Sequence, residues 1–108
     1  MGRIILDECV PHRLRLELAG HDVATAHYAG LEGLRDGALL DRLAGRCDAF
    51  LAVDRSLIHQ NVLINRSFVV IVLRSPSNSR EALRPMIPRV LEALETAKPG
   101  DVIEIHSA

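Results

Sequence analysis

The chain has 108 residues, 48% of them hydrophobic, 25% charged and 3% aromatic, with a net charge of −1. That length suits one domain with a core and excludes two, and the composition excludes a disordered chain. The charge balance lacks the basic excess of most nucleic-acid binders, and two Phe, one Tyr and no Trp argue against recognition of single strands mainly by base stacking. All the basic residues except Lys98 are Arg, so any phosphate binding is expected from a local patch or from cations held by acids. Cys9 and Cys47 form neither a C-x-x-C nor a zinc pattern, and reduced thiols are expected. No apolar run approaches the ~18 residues needed to span a bilayer, and "MGRIIL" does not read as a signal peptide. A cytoplasmic protein without membrane contact is therefore expected.

The elements follow in chain order. "RIIL" (3–6) is apolar throughout and reads as a strand covered on both faces. Pro11 suits a helix start, Val10, Leu14, Leu16 and Leu18 partly follow the helical period, and Gly20 suits its end. "HDVATA" (21–26) is a weaker strand. The segment 27–37 carries three glycines and reads as a loop, after which Asp36 is a candidate N-cap for a helix bearing Leu39, Leu40 and Leu43.

"AFLAVD" (49–54) is the third strand, and residues 55–67 read as a short helix and a loop. "FVVIVLR" (68–74) is the strongest strand. The helix predicted over 80–97 contains Pro85 and Pro88, which should kink it or divide it in two. "VIEIH" alternates and is expected at a sheet edge. The whole reads as a single α/β domain over 1–108: a three-layer α/β/α sandwich with a mostly parallel sheet of about five strands.

Carboxylates end two of the apolar strands, Asp7 with Glu8 after the first and Asp54 after the third. Open parallel sheets bind ligands at the carboxyl ends of their strands, where such acids can converge. Asp36 joins them if its helix begins on the same side. Two carboxylates about 4 Å apart repel by roughly 4 kcal/mol at an effective dielectric near 20, so clusters of this kind persist when a cation is bound or one acid is protonated. Oxygen ligands alone favour Mg²⁺ or Mn²⁺, and such ions can drive hydrolysis of a phosphodiester. Simpler roles stand beside this one: Asp36 and Asp54 as helix or turn caps, and Glu8 as a solvent-facing neighbour of Asp7.

The segments "IILDECVPHRL", "GHDV", "GLRDGALLDRLAG" and "AFLAVDRSLIHQN" resemble the small PIN-like domain proteins of bacteria and archaea, relatives of the VapC toxins. The likeness continues through "VVIVLR" to "LEALETAKPGDVIEI". It implies an α/β/α sandwich whose acidic crevice binds Mg²⁺ or Mn²⁺ and cleaves RNA, with Asp7, Asp36 and Asp54 as catalytic metal ligands and Glu8 as a further acid of the motif. Arg55, His59, Gln60 and Asn78 fall at positions implied to contact substrate or support the acids, and Arg13 and Arg74 are further candidates for its phosphates. The resemblance also implies a toxin with a cognate antitoxin protein and a homodimer. Such nucleases usually carry a fourth acid soon after the third, and nothing acidic lies between Asp54 and Glu81 here.

Two other readings are open. One is a catalytically silent domain of the same fold that binds RNA or a protein. The other is a receiver-like phosphoacceptor domain, with Asp54 as acceptor, Ser75 after the fourth strand and a Lys-Pro pair at Lys98-Pro99. That pair, however, precedes the last strand instead of following it.

Overall fold

The computed structural model describes residues 2–18, 20–34, 36–53 and 67–107, the side chains of residues 36 and 37 excepted. Strands β1 (Arg3–Leu6), β2 (Asp22–Thr25), β3 (Ala49–Val53), β4 (Val69–Arg74) and β5 (Val102–His106) form one sheet in the order β2-β1-β3-β4-β5. Every neighbouring pair is parallel. β5 stands at an edge, as its alternation predicts.

The apolar runs of the central strands divide their side chains between two faces. Ile4, Leu6, Ala49, Leu51, Val53, Val69, Ile71 and Leu73 enter one core cluster, whereas Ile5, Phe50, Ala52, Val70 and Val72 enter the other. This is the period-two geometry of a strand, and it explains why these strands are continuously apolar: both faces are covered. Leu39, Leu40 and Leu43 of α1 (Asp36–Leu43) cover the second face. The first is covered by Leu14 and Leu18, together with Leu83, Met86, Ile87 and Val90. The three layers of the α/β sandwich are therefore present.

Proline divides the long C-terminal helix as expected. α2 (Arg80–Leu83) passes into a 3-10 turn (Arg84–Met86) holding Pro85, and α3 (Ile87–Thr96) starts afresh with Pro88 in its first turn. Ser79 caps α2, its hydroxyl accepting the Ala82 N–H at 3.2 Å. The segment after Pro11 differs from the expected α-helix. It is a six-residue 3-10 helix (His12–Glu17) whose only buried residue is Leu14, while Leu16 is 66% exposed. Leu14 and Leu18 are in register for the core, but only a short connection separates β1 from β2 on adjacent tracks. A tighter helix spans it without burying a full α-helical face. Gly20, at φ 87°, then turns the chain into β2.

Candidate functional site

At the carboxyl end of β1 the backbone continues its pairing with β3, the Asp7 N–H donating to the Leu51 carbonyl at 2.9 Å. β1 lies between β2 and β3, and the chain leaves β1 and β3 toward opposite edges of the sheet. In open sheets of this order the ligand crevice lies outside the carboxyl ends of those two strands. Asp7 stands there with 2% exposure, the one buried charged side chain among the described residues.

Its carboxylate is held in place. Oδ1 accepts the Glu8 N–H at 3.0 Å and Oδ2 accepts the Cys9 thiol at 3.3 Å. The same thiol lies 3.8 Å from the Val53 carbonyl, so Cys9 bridges the turn after β1 and the last residue of β3. Cys9 also packs against the first core cluster. Asn78, in the loop after β4, donates from Nδ2 to the Cys9 carbonyl at 3.0 Å. The ends of β1, β3 and β4 are thereby joined around one acid.

A cleft of about 860 Å³ opens beside them. It is lined by Asp7, Glu8, Cys9, His12, Arg15 and Asn78 together with Thr25, His27, Tyr28 and Glu32 from the end of β2 and the following loop. Of the residues predicted from sequence, Asp7, Glu8 and Asn78 are therefore brought to one cleft. Glu8 is exposed there, and Asn78 supports the turn that carries Asp7. Asp36 begins α1, and its side chain lies outside the description. Asp54, Arg55, His59 and Gln60, together with the helix expected after β3, lie outside the described residues. Arg13 is exposed on the 3-10 helix. Arg74 is paired with Glu104 at 3.1 Å, and its hydrogen bond is the chief cause holding the Glu104 carboxyl below the ordinary carboxylate range.

The β2 part of the cleft lining escaped the sequence reading, which followed acids at the ends of apolar strands. β2 is only partly buried and carries no terminal acid, so Thr25, His27 and Tyr28 gave no such signal. The glycine-rich loop after it was the available clue, since it leaves the carboxyl edge next to β1. Lys98 and Pro99 stand before β5, in a turn where the Lys98 N–H donates to Asp101 Oδ2 at 2.9 Å. They are therefore at the amino edge of the sheet, opposite Asp7.

The donor chemistry at Asp7 fits a hard cation. An ionised carboxylate offers only oxygen donors, the kind a hard cation takes. No three His, Cys, Asp or Glu side chains assemble into a metal-sized group among the described residues. Of the acids expected to accompany Asp7, Glu8 lines the same cleft, whereas the side chains of Asp36 and Asp54 lie outside the described residues. No family profile, curated protein or solved structure matches the chain. No helix of the described residues is long and apolar enough to cross a membrane.

Proposed function

We propose that the chain is a metal-dependent endoribonuclease of PIN-like type, acting as the toxin of a toxin–antitoxin pair. The observation that carries this reading is Asp7: a buried carboxylate at the carboxyl ends of β1 and β3, lining a cleft of about 860 Å³. Asp7, with Asp36 and Asp54, would hold Mg²⁺ or Mn²⁺. Such an ion supplies a Lewis acid that draws charge from phosphoryl oxygens and acidifies an attacking water.

The chain's own contribution is preorganisation. The Glu8 N–H and the Cys9 thiol orient the Asp7 carboxylate before substrate arrives, so no reorganisation is required of it during the reaction. Burial keeps bulk water away from that carboxylate and strengthens its electrostatic contacts. Asn78 fixes the Cys9 carbonyl, and with it the turn that aims both groups. The reaction class is in-line attack by water on an RNA phosphodiester, with no covalent enzyme intermediate. Binding by an antitoxin would stop the reaction by closing the cleft, and a second copy of the chain completes the proposed assembly.

The test is cleavage of RNA by the purified chain with Mn²⁺ or Mg²⁺, repeated with EDTA and with Asp7→Asn. The expected result is activity lost in EDTA and reduced at least about a hundredfold by the substitution. Equal residual cleavage by both proteins would sink the enzyme reading. RNA retained without cleavage would move the protein to the silent binding class.

A further inference from the structure

The outer half of the cleft has a chemistry of its own. Phe50 and Phe68, two of the chain's three aromatic residues, are buried in the core. Tyr28, its single tyrosine, is 86% exposed and lines the cleft. A lone exposed ring is ordinary by itself. This one stands on a rigid pedestal.

The Tyr28 N–H donates to Thr25 Oγ1 at 3.1 Å and the Ala29 N–H to the Thr25 carbonyl at 2.9 Å. The Gly30 N–H reaches the His27 carbonyl at 3.1 Å and the Leu31 N–H the Ala26 carbonyl at 2.8 Å. Ala26 and Leu31, at the two ends of the turn, are both core residues. His27 is tied to Glu32 at 2.8 Å, which commits the acid on this wall. The ring is thus held out into water by a turn that is anchored at both ends.

The same cleft is lined by His12 and Arg15 of the 3-10 helix, which flank the buried Leu14 that anchors it. Arg15 makes one side-chain hydrogen bond, from Nη1 to the His12 carbonyl at 3.1 Å, and has no carboxylate partner among the described residues. Its remaining N–H donors and the His12 ring are available to a ligand. A π face and a guanidinium lining one cleft, whose volume is within the ~300–1,000 Å³ of small-molecule sites, together suit one unpaired nucleotide.

We infer that Tyr28 stacks an unpaired base and that Arg15, with His12, binds a neighbouring phosphate, so that the outer cleft is a nucleotide subsite for single-stranded RNA. The inference rests on the ribonuclease reading, from which it takes the scissile phosphate beside Asp7. It provides one stacking platform instead of a track of them, in keeping with the scarcity of aromatics. Affinity therefore comes from one base and its phosphates, and double-stranded RNA, whose bases are not free to stack, is a poor ligand.

The chain supplies its own reporter: with one tyrosine and no tryptophan, its intrinsic fluorescence comes from Tyr28. A single-stranded hexanucleotide RNA is titrated into metal-free wild type and into Asp7→Asn, both in EDTA, where neither cleaves on the reading above. Quenching of the tyrosine signal, corrected for absorption, is expected to saturate with binding. Tyr28→Ala should weaken binding about 5- to 150-fold, as measured by anisotropy of a labelled strand, and Tyr28→Trp should preserve it. Arg15→Gln should lower the slope of log affinity against log salt by about 0.7.

Equal binding by wild type and Tyr28→Ala, or no binding of the hexanucleotide, overturns the subsite and leaves Asp7-dependent cleavage to be judged alone. Quenching and weakened binding by Tyr28→Ala, without Asp7-dependent cleavage, keep the subsite and remove the nuclease. Displacement of the label by polyglutamate with the salt slope unchanged in Arg15→Gln would assign the cations to an acidic protein and overturn the RNA subsite.

Discussion

Leu14→Ala tests whether the wall of the cleft is seated as described. Leu14 has no exposed surface and is the only buried residue of the six in its 3-10 helix. That helix has no side-chain cap, and so short a segment has little stability of its own. Its position therefore depends on one side chain in the core.

Truncating a buried Leu costs about 2.7–5 kcal/mol, the lost transfer energy plus the cavity left behind. With about 3 kcal/mol taken from the lower part of that range, and about 4–8 °C lost per kcal/mol in a domain near this size, the melting temperature should fall by at least roughly 12–24 °C. Native stabilities of about 5–15 kcal/mol leave most of the protein folded at room temperature. Leu43→Ala, equally buried but at the end of α1 on the other face, is the matched control.

Urea unfolding followed by circular dichroism should give similar losses with an unchanged m-value for the two variants. Hydrogen exchange should separate them. In Leu14→Ala the amides of Leu14 and Leu18, bonded to the carbonyls of Pro11 and Arg15, should lose more protection than global unfolding explains. Hexanucleotide affinity should fall in that variant alone. A Leu14→Ala cost below about 1 kcal/mol, or exchange at those two amides matching that of Leu43→Ala, would refute the anchoring argument.

Two more predictions concern titratable groups outside the cleft. Burial, assisted by the charge of Asp48, pushes the Cys47 thiol up to about 12, so at pH 8 only ~10⁻⁴ of it is thiolate. Native alkylation read by mass spectrometry should modify the half-buried Cys9 well before Cys47, and equal rates would contradict that burial. Glu104 lies below its ordinary value of 4.5, first through the Arg74 hydrogen bond and further through the charges of Arg74 and His106. A depressed carboxyl stabilises the fold above its unfolded pKa and loses that contribution as pH falls through the folded one. The stability difference between wild type and Glu104→Gln should therefore shrink as pH drops below about 4.5. A difference that grows in acid would refute the assignment.

The sheet was legible because burial on two faces leaves a local mark. Runs such as "RIIL" and "FVVIVLR" have no polar face to offer water, which is the condition of a strand between two layers. Pro85 and Pro88 likewise announce the break between α2 and α3, since each removes a donor from the helical ladder. After Pro11 the local pattern misled: Val10, Leu14 and Leu18 are all buried, yet the exposed Leu16 belongs to a tighter turn that serves the connection to β2.

The amino-acid sequence by itself determined which segments are buried strands, where the helices break, and that Asp7 ends an apolar strand. The tertiary structure alone decided what Asp7 meets. Chain crossing places β3 directly beside β1 and sends β2 to the outer edge, which brings the Cys9 thiol toward the Val53 carbonyl and Asn78 onto a carbonyl 69 residues away. It also brings Tyr28 and Arg15 to one cleft. The physical reason is that hydrophobic periodicity reports how deeply each residue is buried, whereas neighbours across a sheet depend on how the connections pass over it.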